Sequence, residues 1–126
     1  MRWTHFTIPV SDLDGSIGFF TSVCGLSVVR DRRLEGGRTV WLGPTPAEGE
    51  DPEFVVVISR GEVREPLDHF GFQCDRREDV TAIASRAKDK GMLVEGPTDH
   101  GGSVGYFAIV REPSSNGGVR AAQLNR

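Results

Sequence analysis

The chain has no block of basic residues and no long apolar run. Its 15 lysines and arginines face 18 acidic residues, giving a formal charge of −3 at pH 7. That balance points to no nucleic-acid partner. No stretch approaches membrane-spanning length, and the opening MRWTHFTIPV lacks the apolar core of a signal peptide. We therefore expect a cytoplasmic protein that engages neither nucleic acid nor membrane. The two cysteines, Cys24 and Cys74, lie far apart and match no metal or redox spacing. They read as reduced, partly buried thiols. Gly101-Gly102 and Gly105 mark a turn before a strand, or a lip over a cavity, and lack the lysine and spacing of a phosphate loop. Ser16, Ser22 and Cys24 have no base positioned beside them by the sequence, so no nucleophilic triad is expected.

What the chain does contain is a repeat. At 126 residues it is long enough for one domain with its own core. Trp3-Thr4-His5-Phe6-Thr7-Ile8 is matched by Leu67-Asp68-His69-Phe70-Gly71-Phe72, with the histidines 64 residues apart (69 − 5). Each run has strand-forming composition and is followed by a helical pattern. In the first, Asp12 is a candidate cap, Leu13, Ile17, Phe20 and Cys24 form the apolar stripe, and Gly25 is the terminator. In the second, Asp75 and Glu78 have capping-box spacing, Val80, Ile83, Ala84 and Ala87 form the stripe, and Gly91 ends it. The terminators are 66 residues apart (91 − 25).

Three strands should follow each helix: 26–30, 38–42 and 53–59, then 92–95, 105–110 and 119–124. The repeats read as 1–60 and 67–126, joined by the polar linker 61–66. This is an α+β organisation of two βαβββ units, expected to form one curved mixed sheet with helices on the convex face. Alternation along the strands assigns Phe6, Ile8, Phe54, Val56, Ile58, Phe70 and Phe72 to the helix side. His5, Val57 and His69 then face a cavity. With the offset of 66, Gln123 takes the position of Val57 and joins them.

Two imidazoles and an amide oxygen at symmetry-related inward positions suit a divalent ion such as Fe, Mn, Zn, Ni or Co, with sites left open for substrate. A lone strand histidine more often serves packing or hydrogen bonding. Two in register across a repeat are harder to explain that way. Trp3, Thr7 and Val57 would shape the pocket beside the ion. Trp3 and Trp41 are also candidates for stacking on a flat ligand, although core packing is the usual task of such residues. Arg30-Asp31-Arg32-Arg33 reads as a solvated loop.

The segment HFTIPVSDLDGSIGFFTSVCGLSVVRD resembles the opening of vicinal oxygen chelate proteins, the glyoxalase, bleomycin-resistance and ring-cleaving dioxygenase group. LDHFGFQC resembles their second histidine strand, and GPTDHGGSVGYFAIVREPSSNGGVRAAQL a degraded form of their closing pattern. The resemblance implies metal-ligand positions at His5, His69 and Gln123, the last where a glutamate is usual. Val57 stands where glyoxalase I enzymes carry a fourth ligand, which argues against standard glyoxalase I activity. Glutamine cannot serve as a base at ordinary pH. His100 and Tyr106, with Glu112 and Asp68 behind them, are the residues near the motif that could move a proton.

Two functions compete. One is a divalent-metal-dependent lyase, isomerase or dioxygenase acting on a small substrate held through two oxygens. The other is a metal-free small-molecule binder of the antibiotic-sequestering kind. Either is expected to be a homodimer, with the site inside one chain or shared across two.

Overall fold

A computed structural model describes residues 4–63, 69–101, 105–114 and 120–125. Trp3 and Asp68 lie outside this set. The chain divides into two compact units, Met1–Arg64 with Ser114–Asn116, and Glu65–Pro113 with Gly117–Arg126.

The first unit runs β1 (His5–Val10), α1 (Leu13–Gly18), β2 (Ser27–Leu34), β3 (Gly37–Gly43) and β4 (Val55–Arg60). Its four strands form one mixed sheet in the order β1-β4-β3-β2, with β1 parallel to β4. Asp12 caps α1 as expected, one carboxylate oxygen accepting from Gly15 N at 3.0 Å. The helix does not continue as a plain α-helix. Phe19–Val23 form a π-helical turn, and Gly25 ends the segment with φ +79°. The wider turn shifts the phase of the buried side. Ser16, Phe19, Phe20 and Val23 are buried, whereas Leu13, Ile17 and Cys24 from the expected stripe are only half-buried. On the sheet, Val10, Val40, Leu42, Val56 and Ile58 are almost wholly excluded from solvent. Full burial of each such side chain contributes roughly 1.5–3 kcal/mol, so these rows and the two phenylalanines hold the unit together.

The second unit repeats the order with β5 (His69–Gln73), α2 (Arg77–Asp89), β6 (Leu93–Asp99), β7 (Tyr106–Arg111) and β8 (Arg120–Asn125). Its sheet has the order β5-β8-β7-β6, and β5 is parallel to β8. In α2 the expected stripe Val80, Ile83, Ala84 and Ala87 is buried, and Gly91 follows with φ +70°. The helix start lies one residue later than the Asp75 and Glu78 spacing implied. Asp79 accepts from Arg76 N at 3.1 Å and pairs with the Arg76 guanidinium at 2.9 Å.

The βαβββ order is therefore present twice, in an α+β fold. Backbone hydrogen bonds group the strands into two four-stranded sheets, not one eight-stranded sheet. One feature departs from simple duplication. Ser114, which follows β7, belongs with the first unit, its Oγ accepting from Ser11 N at 3.0 Å.

Candidate functional site

In the first unit the face away from the core carries a recess of about 320 Å³. It is lined by Thr4, His5 and Thr7 from β1 and its approach, Trp41 from β3, Val55 and Val57 from β4, and Asp51 and Pro52 from the preceding loop. Strand register explains the grouping. Thr7 pairs with Val57 and Val57 with Trp41, so the three side chains form a row across β1, β4 and β3. The alternate residues Val40, Val56 and Ile58 point into the core. His5, Thr7 and Val57 thus share one face of the first sheet. Trp41, a candidate for stacking on a flat ligand, joins them as a wall because it alternates with the buried Val40 and Leu42. Asp51 and Pro52 belong to an irregular loop that strand periodicity does not reach.

The chemistry of this recess is mixed. Val55, Val57, Trp41 and Pro52 are apolar walls, while Thr7, Asp51 and His5 supply polar edges. The His5 ring nitrogen Nδ1 lies 3.0 Å from Thr4 Oγ1. That hydrogen bond holds one side of the imidazole and leaves Nε2 for a ligand. The Arg30 guanidinium sits 5.2 Å from the Trp41 ring centroid, a cation–π contact that braces the indole.

In the second unit His69 also lies on the face turned from the helix, in a shallow depression with Gly71, Gln73, Ala122 and Leu124. Gln123 does not share that face. It pairs with Phe72, three residues from His69, and is 1% exposed. The expected inward position of Gln123 is corrected by one residue. His5 pairs with Val55 and His69 with Arg120, so β4 and β8 are related by 65 residues (120 − 55) and not by the 66 that separates the helix terminators. A slip of one residue exchanges the faces of a strand. Ala122 is the true counterpart of Val57, and Gln123 that of Ile58.

Tyr106 belongs to the helix side. Its hydroxyl is 2.9 Å from Thr81 Oγ1 of α2, and Arg77 of the same helix lies 5.1 Å from its ring. It braces α2 against the sheet and does not face His69. His100 stacks on Phe107 at 4.5 Å between ring centroids, with Nε2 3.9 Å from Glu95 Oε1. Phe107 pairs with Leu124, so His100 does lie on the side that carries His69. Glu112 is buried, at 1% exposed. Burial pushes the Cys74 thiol upward in pKa, so at neutral pH it stays protonated and inert.

These residues fit a divalent ion only in part. Each imidazole is a suitable ligand, but the β8 position that should add an oxygen donor is Ala122. No group of three His, Cys, Asp or Glu side chains comes together among the described residues. Within the second unit, Gln123 lies on the core side of β8 and does not join His69.

The profile of the Glyoxalase/Bleomycin resistance protein/Dioxygenase superfamily matches residues 2–117. The chain belongs to this superfamily. Among curated relatives, the uncharacterised protein PA2024 of Pseudomonas aeruginosa is 34% identical over 118 residues, covering 90% of this chain and 82% of that one. Lactoylglutathione lyase GLX1 of Arabidopsis thaliana is 31% identical over 123 residues, covering 89% of this chain and 41% of the plant protein. The chain thus spans less than half of that enzyme. Among solved structures, TnmS3, an antibiotic binding protein from Streptomyces sp. CB03234, superposes with a TM-score of 0.71 at 20% identity. It covers 99% of this chain and 95% of its own. The glyoxalase I of Leishmania major gives 0.68 at 24% identity, with 99% and 86% covered. At these identities the structural neighbours establish the superfamily fold alone.

Proposed function

We propose that this superfamily member binds a small organic molecule with a flat apolar body in the recess of the first unit. The row Thr7, Val57 and Trp41 carries the reading: two apolar walls and a hydroxyl edge, closed at one side by His5. A flat ligand gains area against Trp41, Val55 and Val57, and a polar edge reaches His5 Nε2, Thr7 or Asp51. The β8 position that would complete a metal site holds an alanine, which favours ligand retention without a bound ion. The sharing of the fold with an antibiotic binding protein supports the same direction. The test is a thermal-shift screen of flat organic compounds with and without chelator. A ligand at one hundred times its Kd raises stability by about 2.7 kcal/mol. Hits should persist with chelator and disappear in Val57→Arg. Hits that vanish with chelator would sink this reading.

A second reading has one specific observation behind it. His5 and His69 occupy matching places at the start of parallel strand pairs, each on the face turned from its helix. That register supports a divalent-metal-dependent lyase, isomerase or dioxygenase, as does similarity to a lactoylglutathione lyase. Here His5 and His69 would be the ligands, and Gln123 has no part. Elemental analysis of tag-free protein beside a His5→Ala/His69→Ala variant tests it. Near-stoichiometric metal, lost in the variant, would establish this reading in place of the first. We also expect a homodimer in solution, which light scattering would check.

A further inference from the structure

A cationic row crosses the open face of the second unit. His69 of β5 pairs with Arg120 of β8, and Arg120 pairs in turn with Arg111 of β7. The three positions are therefore neighbours across three adjacent strands. Their side chains share a face, because His69, Ala122 and Leu124 line one depression and Arg120 alternates with the latter two. Ile109 and Phe107 pair with Ala122 and Leu124, which puts Arg111 on the same side. Burial agrees: Val110 is fully excluded from solvent and Glu112 nearly so, while Arg111 between them is exposed.

Like charges directly opposite in an antiparallel pair are destabilising. This chain keeps two guanidinium groups so placed although its formal charge is −3. Arg111 makes no ion pair among the described residues. Glu95, the acid in register with Ile109 on that face, lies beside His100 instead. Neighbouring strand positions stand about 5 Å apart. Two planar forks and an imidazole at that spacing converge naturally on one group with several acceptor oxygens.

We propose that His69, Arg120 and Arg111 form an oxyanion-binding site for a carboxylate or phosphate group. The proposal does not rest on the ligand reading of the first unit's recess.

The test is a backbone and histidine NMR titration of the full chain with inorganic phosphate and with succinate, each against sodium chloride at matched ionic strength. The expected result is saturable shifts at His69 and along β5, β8 and β7 with at least one of the two anions. Phosphate alone would assign a phosphate-bearing ligand, succinate alone a carboxylate. Arg111→Gln should weaken binding about tenfold, the value of one charge-assisted hydrogen-bonding partner. Lys88→Gln, an exposed cation of α2 on the other side of this sheet, should leave it unchanged. Shifts reproduced by chloride, no saturable shift with either anion, or an Arg111→Gln variant that titrates like the wild type would overturn the proposal.

Discussion

Gln123 pairs with Phe72 across the parallel β5–β8 ladder and so lies on the opposite side of the sheet from His69. Restoring the glutamate usual in the superfamily would therefore place a carboxylate inside the core, not beside an imidazole. Gln123→Glu should lower stability by about 2–4 kcal/mol at neutral pH, the cost of an ill-paired buried charge. It should leave metal content as it is in the wild type. Denaturant unfolding with elemental analysis checks both. An unchanged midpoint with a gain of metal would mean that residue 123 faces the histidine.

Trp41 and Val57 are register partners and form adjoining walls of the recess. Trp41→Ala removes the flat wall and should weaken a bound aromatic ligand at least about tenfold, within the range of aromatic contact energies. The fold should survive, since Trp41 is only half-buried. Titration by calorimetry, alongside circular dichroism, separates the two effects.

The Asp99 carboxyl sits below the ordinary aspartate value of 3.8, chiefly because Gly101 N donates to it and then because Arg77 pairs with it at 2.8 Å. A carboxyl depressed in the folded state contributes stability above its unfolded pKa and loses it as pH falls through the folded one. Asp99→Asn should therefore lower the melting temperature at pH 7 slightly, and the loss should shrink as the pH falls below the ordinary aspartate value. The two melting curves should converge below about pH 4. A constant difference across that range would dismiss the ionic contribution.

Asp12 caps α1 through Gly15 N. Asp12→Ala should cost about 1 kcal/mol, a fall of roughly 3–6 °C in Tm for a domain of this size. Asp12→Asn, which keeps the acceptor, should recover most of it. Equal losses in both variants would show that charge, not the cap, matters.

Much of this architecture was legible in the residues. The stripe Val80, Ile83, Ala84 and Ala87 gave α2 because 3.6-residue periodicity leaves little choice, and Gly25 and Gly91 carry the positive φ that ended each helix. His5, Thr7 and Val57 were legible as one face because alternation in a strand is a strict two-residue rule. The first helix was less legible, since a π-turn at Phe19–Val23 breaks the 3.6-residue periodicity. Gln123 failed for a related reason. Helix terminators measure the repeat at one place, and strand pairing sets it at another. A single residue inserted between them changes nothing in composition and everything in facing.

The first unit is not contiguous in the sequence. Ser11 N is satisfied by Ser114 Oγ, which the chain reaches only after nearly the whole second unit. During synthesis that amide must wait for more than a hundred further residues before its partner leaves the ribosome. The two βαβββ halves therefore look like interchangeable cassettes in the gene yet are not so in the molecule. A clipped N-terminal half would be born lacking one of its own fastenings.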